Sequence, residues 1–233
     1  METMNNSFWK EIGRPKSLRQ QVADQIINAL SQGLLEPGKR IVEVELAQNL
    51  GISRAPIREA LSQLEQEGLV KTIPYRGTFV MDLNRKDVWE LYTLRATLEE
   101  FAMRQVFERN LDETINSLRE IHKAMGETVH SKNKLELAEL DSRFHEVLVR
   151  AAGHEQLYRS WHPLRYKHVF YTITIDPNYS KSFEFVVDVH EELIRAMESG
   201  ELEKACEEIK SHIIDAGKSL LSRIQDTEGD EKA

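Results

Sequence analysis

Four side chains in the second half of the chain have types and spacing that could bind a divalent metal ion. Asp141 and His145 are four residues apart, so on a helix they share one face. His190 and His212 each interrupt a separate apolar stripe of helical spacing. Three imidazoles and one carboxylate suit a borderline divalent ion, with Zn(II) as the first choice and Ni(II), Co(II) or Mn(II) as alternatives. The competing interpretation is that each histidine is a hydrogen-bonded core residue.

A cationic side chain among apolar neighbours indicates what such a site would bind. Arg95 lies on the apolar stripe of the first helix of this half, and an unpaired buried charge is costly. One prediction is that Arg95 pairs with a small organic carboxylate bound above the metal. The other is an internal ion pair with Glu99 or Asp141. Weaker candidates for the wall of the effector pocket lie on a neighbouring helix: Tyr166, His168 and Tyr171.

Two arginines in the first part of the chain have the spacing of a DNA-reading helix. Arg54 and Arg58 are four residues apart near the start of a short predicted helix, and a guanidinium can bond O6 and N7 of guanine together. Arg76 lies at the tip of a predicted hairpin, within reach of a phosphate or the minor groove. The alternative is a solvated helix surface. An ion pair within the helix does not explain Arg58, because the residue one turn later is Ser62.

Composition indicates a folded intracellular protein and excludes several other classes. The chain has 233 residues, of which 40% are hydrophobic and 30% charged, enough for one large domain or two small ones. The longest stretch without a charge, 25–35, is too short for a membrane helix, and the first residues show no signal-peptide pattern. The single cysteine, Cys206, excludes an internal disulfide framework. We therefore expect a cytoplasmic protein with no membrane partner.

Charge is divided unevenly along the chain, whose net charge is −8. Residues 1–80 carry 10 Lys and Arg against 9 Asp and Glu, a balance of +1, whereas residues 81–233 carry 21 against 30, a balance of −9. The acidic excess therefore belongs to the second part. The first part remains free to present a local basic face to nucleic acid.

Residues 17–83 are predicted to form a winged helix-turn-helix. Hydrophobic periodicity and turn residues place three helices and then two strands at 17–32, 43–50, 53–67, 69–73 and 78–80. Ser53 is the predicted N-cap of the third helix, and Gly68 ends it. The two strands flank the turn at 74–77 and form a two-stranded hairpin, the wing.

The rest of the chain is predicted to be an all-α antiparallel bundle of six helices over residues 87–225, which makes the fold mainly α. The helices are expected at about 87–108, 111–131, 133–152, 155–175, 180–199 and 201–225. A short link near 81–86 joins the two parts. Residues 1–16 form an N-terminal arm without an assigned role, and residues 226–233 are expected to be a disordered tail.

The first part of the chain resembles the DNA-binding domain of the GntR family of bacterial transcription regulators. The matching stretches are GLLEPGKRI (33–41), ELAQNLGISRAPIREALSQLEQEGLV (45–70) and YRGTFV (75–80). The resemblance implies operator contacts by five residues: Ser53, Arg54, Arg58, Arg76 and Gly77. A DNA-contacting arginine usual in the family, just before the Glu-Leu of the second helix, is Val44 here. This departure argues against the usual operator sequence.

The second part, residues 87–224, resembles the FadR-type effector-binding domain of that family, the FCD domain. The matching stretches are LYTLRATLEEFAMR (91–104), DSRFHEVLVRAAGH (141–154) and HEELIRAMESGELEKACEEIKSHI (190–213). In the metal-binding branch of FCD domains the equivalent positions are metal ligands, and all four are present: Asp141, His145, His190 and His212. The resemblance thus favours a metal over four unrelated core side chains.

Together these patterns predict a ligand-responsive transcription regulator rather than an enzyme. We expect a homodimer on a palindromic DNA operator, since two-fold proteins read two-fold sites, and a small carboxylate as effector. In GntR regulators of this type, release of a repressor is the commoner response. One alternative is a DNA-binding regulator with a purely structural metal. Another is a metal-dependent hydrolase with Glu146 as base, although Glu146 lies about 100° around the helix from His145.

Overall fold

The computed structural model describes residues 16–82, 84–175 and 183–224. Within these ranges the chain is mainly helical, with one small sheet, which confirms the predicted fold class. Residues 1–15 of the proposed arm, the proposed tail at 226–233, the last residue of the predicted bundle at 225 and the first residues of its fifth helix, 180–182, lie outside the described residues.

The first part is a winged helix-turn-helix. Its elements in chain order are α1 (Leu18–Ser31), β1 (Arg40–Ile41), α2 (Glu43–Leu50), α3 (Arg54–Gln66), β2 (Val70–Ile73) and β3 (Gly77–Val80). The Oγ of Ser17 caps α1 by accepting a hydrogen bond from the backbone N–H of Gln20 at 3.2 Å. Gly51 ends α2 at a φ of 64°, in the left-handed region that glycine tolerates best. The short turn that follows sets α3 against α2.

One local prediction for this part, the two-stranded wing, was wrong, and the predicted N-cap of α3 was confirmed in position only. The wing is a three-stranded antiparallel sheet in the order β1-β3-β2, not a two-stranded hairpin. The added strand β1 has only two residues, Arg40 and Ile41, paired with Phe79 and Thr78, too few for an alternating pattern to be visible. Ser53 does occupy the N-cap position of α3, but its hydroxyl makes no capping hydrogen bond.

The second part is a bundle of six long helices. They are α4 (Arg85–Arg109), α5 (Leu111–Ser131), α6 (Lys134–Ala151), α7 (Glu155–Ile175), α8 (Phe183–Glu198) and α9 (Leu202–Leu221). The first begins earlier than predicted because Asn84 caps it, its side chain accepting from the N–H of Asp87 at 2.8 Å. The link between the two parts therefore shortens to residues 81–84.

Close helix packing gives the bundle a continuous core. A methyl group on Gly217 of α9 would lie 2.7 Å from Cβ of Tyr92, which explains how α9 approaches α4 so closely. Phe144 and Trp161 are fully buried between α6, α7 and their neighbours. Helix α1 of the winged part packs on α7 and α6. The DNA-binding part thus rests on the two helices that bring Asp141 and His168 into the bundle.

No helix in the described part of the chain is both long and apolar enough to cross a membrane.

Candidate metal centre, ligand cavity and DNA-binding surface

Three helices of the bundle bring the four predicted metal ligands together. Asp141 and His145 of α6, His190 of α8 and His212 of α9 form what we call the His/Asp cluster, whose potential ligand atoms all lie within 4.8 Å of one another. All but His212 are buried. As predicted from their i, i+4 spacing, Asp141 and His145 project from the same face of α6.

Hydrogen bonds on the far side of two imidazoles turn their other nitrogens toward the centre of the cluster. Nδ1–H of His190 donates to the carbonyl oxygen of Val186 at 2.7 Å, so Nε2 carries the lone pair. Nδ1 of His145 lies 2.5 Å from Oε2 of Glu99, a carboxylate oxygen that can only accept when it is ionised. Both histidines therefore turn Nε2, the nitrogen that could bind a metal, toward the centre of the cluster.

The spacing of these inward atoms fits a cation among them. Metal–ligand distances of about 2.0–2.2 Å place neighbouring ligands of tetrahedral zinc about 3.3–3.5 Å apart. Nε2 of His145 and Nε2 of His212 are 3.3 Å apart, and Nε2 of His190 is 3.1 Å from an oxygen of Asp141. Nε2 of His190 is nevertheless buried without a hydrogen bond in the described structure. Such an orphaned lone pair beside a carboxylate suits a metal ligand better than a core residue.

The protonation state of His212 also favours a role as metal ligand. Burial, followed by the charges of His190 and His145, holds the pKa of His212 well below its ordinary value. Its imidazole is therefore neutral at physiological pH, the form that binds a metal. Burial acts against the charge of Asp141, but its contacts with His168 and then His190 hold the pKa of Asp141 well below the ordinary value. The cluster thus offers one carboxylate and three imidazoles as possible donors, with Asp141 ionised and His212 neutral.

Behind the cluster lies a buried carboxylate that the sequence analysis named only as a possible partner of Arg95. Glu99 is fully buried and holds His145 with one oxygen, while its other oxygen accepts from Nε of Arg95 at 3.0 Å and from Nε1 of Trp161 at 2.7 Å. Burial would raise its pKa, but the charges of His145 and Arg95 and these hydrogen bonds lower it to about 2. Glu99 therefore stays ionised and orients the His145 ring.

We expect Glu99→Gln to weaken metal binding by about 10- to 100-fold, because groups that orient a metal-bound histidine typically contribute that much. The measurement is competition for Zn(II) against a chromophoric chelator, with circular dichroism to verify folding. Glu100→Gln is the matched control, since that neighbouring carboxylate pairs with Arg104 and Lys210 on the surface. Equal zinc affinity in a folded Glu99→Gln protein would show that Glu99 has no part in the site.

The second oxygen of Asp141 leads to a polar chain. Nε2 of His168 hydrogen-bonds this oxygen, and Nδ1 of His168 lies 2.8 Å from the hydroxyl of Tyr92. Burial, and then the nearby charge of Arg95, lower the pKa of His168 to about 4, so its ring is neutral. A neutral ring with Nε2–H donates to Asp141 and accepts from Tyr92. These hydrogen bonds hold the Asp141 carboxylate through one oxygen, while its other oxygen lies nearer to His190.

Beside the His/Asp cluster lies a cavity of about 500 Å³, which we call the ligand cavity. Asp141, His190 and His212 contribute to its wall, together with His168 and Tyr92. Apolar residues of α8 complete one side: Phe185, Val186 and Val189. The volume lies within the range of pockets that take small organic molecules. A metal held by the cluster would therefore face a space large enough for a ligand.

The predicted effector residues do not all reach this cavity. His168 lines it, whereas Tyr171 is buried outside the walls of the described cavities, and burial raises its pKa to about 12. Tyr166 lines a second cavity of about 590 Å³ between α1, α6 and α7, the interdomain cavity. Arg95 is 1% exposed, lies outside both walls and forms the ion pair with Glu99, the second of its two predicted roles.

Glu146, the base of the hydrolase alternative, also lies away from the cluster. It lines the interdomain cavity and is bound there by Arg150 at 2.9 Å, by Tyr158 at 3.0 Å and by Arg165. A carboxylate held by two guanidiniums on the far face of α6 is badly placed to accept a proton from a metal-bound water.

Three of the predicted DNA-contacting residues lie together at the exposed start of α3. Arg54 and Arg58 project from α3, and Ser53 precedes them, all three exposed. Both guanidiniums bond the same oxygen of Glu43 in α2, at 2.7 Å from Arg54 and 3.0 Å from Arg58. The hydrogen bond from Arg54, and then that from Arg58, lower the pKa of Glu43 below its ordinary value, against the opposing effect of burial. The sequence of α3 gives no sign of these ion pairs, because Glu43 precedes Arg54 and Arg58 by 11 and 15 positions and lies on another helix.

The wing tip presents Arg76 and an unpaired aromatic ring. Tyr75 is fully exposed and has a φ of 62°, unusual for a bulky residue, and the exposed Arg76 follows it. Gly77 has a φ of 106°, and a methyl group there would meet Nε of Arg40 at 3.0 Å. Gly77 therefore allows the tight turn that projects Arg76 from the sheet, and Tyr75 adds a contact surface that the sequence analysis did not consider.

Family comparisons agree with the two-part architecture. Residues 18–80 match the family described as bacterial regulatory proteins of the gntR family, and residues 90–215 match the FCD domain. The chain is 30% identical over 193 residues to a probable D-xylose utilization operon transcriptional repressor of Paenarthrobacter nicotinovorans, a match that covers 83% of this chain and 84% of the relative.

One further relative in sequence and one solved structure are also similar to this chain. The chain is 33% identical over 140 residues to the uncharacterized HTH-type transcriptional regulator YdhC of Bacillus subtilis, which covers 60% of this chain and only 62% of YdhC. A solved structure of a putative GntR regulator from Rhodococcus shares the fold with a TM-score of 0.74 at 21% identity, covering 90% of this chain and all of that one. The chain belongs to the GntR family of bacterial regulatory proteins and is a DNA-binding transcription regulator with an FCD domain, not an enzyme.

Proposed function

We propose that this protein is a metal-dependent repressor that leaves its operator when a small organic carboxylate binds in the ligand cavity. The observation that carries the proposal is the position of the His/Asp cluster on the wall of that cavity, with the lone pair of His190 unsatisfied. A purely structural metal needs no adjoining space. A ligand-sensing metal does.

In this proposal Asp141, His145, His190 and His212 hold a divalent ion, Zn(II) by preference, with Ni(II), Co(II) or Mn(II) as substitutes. The ion would supply a positive charge and an open position for a carboxylate oxygen. The protein's own groups do the rest. Glu99 orients His145, and His168 with Tyr92 holds Asp141 in place. Arg95 acts through Glu99 rather than on the effector.

We further propose that Ser53, Arg54 and Arg58 read bases and phosphates of the operator, while Arg76 and Gly77 place the wing against the backbone or the minor groove. Such DNA lies in the bacterial cytoplasm, where we place the protein. The repressor role is supported by the printed name of the Paenarthrobacter relative. The native operator would differ from that of relatives with arginine in place of the exposed Val44.

A homodimer on a palindromic operator is part of the proposal, because one α3 spans too few base pairs for useful specificity. Helix α4 supports it, since large apolar side chains stand on its outer surface: Trp89, Leu94 and Phe101, which are 58%, 47% and 42% exposed. Leu94 and Phe101 are seven residues apart and so share one face. An apolar face of this kind suits a second copy of the chain.

Helices α6 and α7 would carry the signal. Asp141 belongs to the His/Asp cluster, and its neighbour Ser142 lines the interdomain cavity against α1. On α7, His168 lines the ligand cavity, while Tyr166 and Val169 line the interdomain cavity. Because both helices touch the ligand side and the DNA-binding side, a ligand that prefers one arrangement of α6 and α7 also selects a position of α1.

The test is thermal melting of zinc-loaded protein against a panel of small carboxylates. A true effector at about 100 times its dissociation constant adds roughly 2.7 kcal/mol, a clear rise in melting temperature, and should also release operator DNA. A panel without any response, combined with unfolding on chelation, would establish the structural-metal alternative instead.

A further inference from the structure

Besides the His/Asp cluster, three carboxylates contribute to the wall of the ligand cavity. Glu192 on α8 and Glu208 and Asp215 on α9 all line it. Glu208 lies one helical turn before His212, and Asp215 lies nearly one turn after it, about 6 Å and 4.5 Å along the helix axis. Carboxylates thus stand on both sides of a proposed metal ligand. This is an unexpected lining for a cavity whose ligand is only an anion.

Two of these three carboxylates have no partner in the described part of the chain. Asp215 accepts hydrogen bonds from Nζ of Lys218 at 2.7 Å and from Oγ of Ser211 at 3.2 Å. Glu192 and Glu208 make no hydrogen bond or ion pair there. Burial raises the pKa of Glu208, and the charges of Glu192 and Asp215 raise it further. Two carboxylates that repel each other across a cavity are best relieved by a cation between them.

The cationic residue of the described lining lies far from this pair. Arg223 follows the end of α9, 11 residues beyond His212, roughly 16 Å along the helix axis and still farther from Glu208. Near the cluster, α8 also lines the cavity with Phe185, Val186 and Val189, on which an aliphatic stem can pack. The cavity therefore has a metal-binding end, an apolar side and an acidic rim.

We infer that the effector is an amino carboxylate, whose carboxylate binds the metal held by the His/Asp cluster and whose ammonium lies between Glu192 and Glu208. The inference rests on the proposed function and narrows its effector class from any small carboxylate to a zwitterion. A plain carboxylate leaves the two glutamates repelling each other. An ammonium gives each of them a charge-assisted hydrogen bond.

The test uses full-length zinc-loaded protein and pairs of acids that differ in the amino group: β-alanine with propionate, 4-aminobutyrate with butyrate, and L-glutamate with glutarate. Calorimetric titration should give at least one amino acid about 10-fold tighter binding than its partner, since the rim is partly exposed to solvent. The Glu192→Gln/Glu208→Gln double variant should lose this preference and keep its affinity for the plain acid. Glu207→Gln removes a carboxylate from the exposed face of α9 and should keep the preference.

The failures are distinguishable. Plain acids that bind as tightly as their amino counterparts, or a preference that survives in the double variant, would overturn the amino-carboxylate inference and leave carboxylate sensing intact. If zinc binds but none of the six acids does, carboxylate sensing itself is refuted for these chain lengths, and the inference falls with it.

Discussion

His190→Ala is expected to reduce bound zinc from one equivalent per chain to essentially none, and to abolish the rise in melting temperature that zinc gives the wild-type protein. The reason is geometric. His190 supplies the inward Nε2 fixed by its bond to Val186, and removing one of four ligands leaves Asp141 and two imidazoles to hold the ion. Metal content by mass spectrometry and melting with and without zinc provide the measurement. The metal content and the melting temperature change together because the metal binds the folded state and not the unfolded state.

His130→Ala is the control, because His130 is exposed at the end of α5, away from the cluster. Its metal content and its response to zinc should match the wild type. A folded His190→Ala protein that still holds one zinc per chain with wild-type affinity would contradict the assigned ligand set. Loss of zinc in both variants would point to nonspecific histidine binding.

Arg58→Ala is expected to cost about 1–3 kcal/mol in operator binding, and Arg54→Ala a similar amount, if each guanidinium reads a base in the major groove. Binding should be measured at several salt concentrations, since phosphate contacts appear in the salt dependence and base contacts in the ratio of operator to random DNA. Arg159→Ala removes the same charge from an exposed pair with Glu155 on the bundle and should change neither quantity.

Equal losses of affinity for operator and random DNA would show that both arginines contact phosphates and do not read bases. The same titration addresses symmetry. A single half-site should bind much more weakly than a palindrome, and the mass of the complex should correspond to two chains on one duplex. One chain per palindrome would refute the proposed dimer.

Much of the fold could be predicted from the sequence because the hydrophobic periodicity of a helix is visible within a short stretch of residues. The stripes that predict α6, α8 and α9 also place Asp141, His145, His190 and His212 inward, and four inward polar residues in one core must meet or be separately satisfied. The two-residue strand β1 gave no such signal, because its pairing with β3 depends on residues almost 40 positions away.

Contacts between helices explain the remaining differences. Arg95 and Glu99 are i, i+4 and could be paired on paper, yet an effector role for Arg95 was equally compatible with its stripe until the position of the ligand cavity was known. Glu43 reaches α3 from another helix, and Glu192 and Glu208 line one cavity from two different helices. Periodicity determines which face of a helix is buried. It does not determine which neighbour that face meets.

Glu43 has a consequence for how the protein searches the chromosome. Away from DNA, one carboxylate partly neutralises Arg54 and Arg58 and holds them side by side, at a cost to either ion pair of no more than about 1 kcal/mol when it is broken at this exposed position. If Arg54 and Arg58 read bases as proposed, random DNA would have to displace Glu43 for two phosphate contacts alone, whereas the operator would gain base contacts as well. We therefore expect short dwell times on non-operator DNA and longer ones in a Glu43→Gln variant. That variant would bind nonspecific DNA more tightly and would find its operator more slowly.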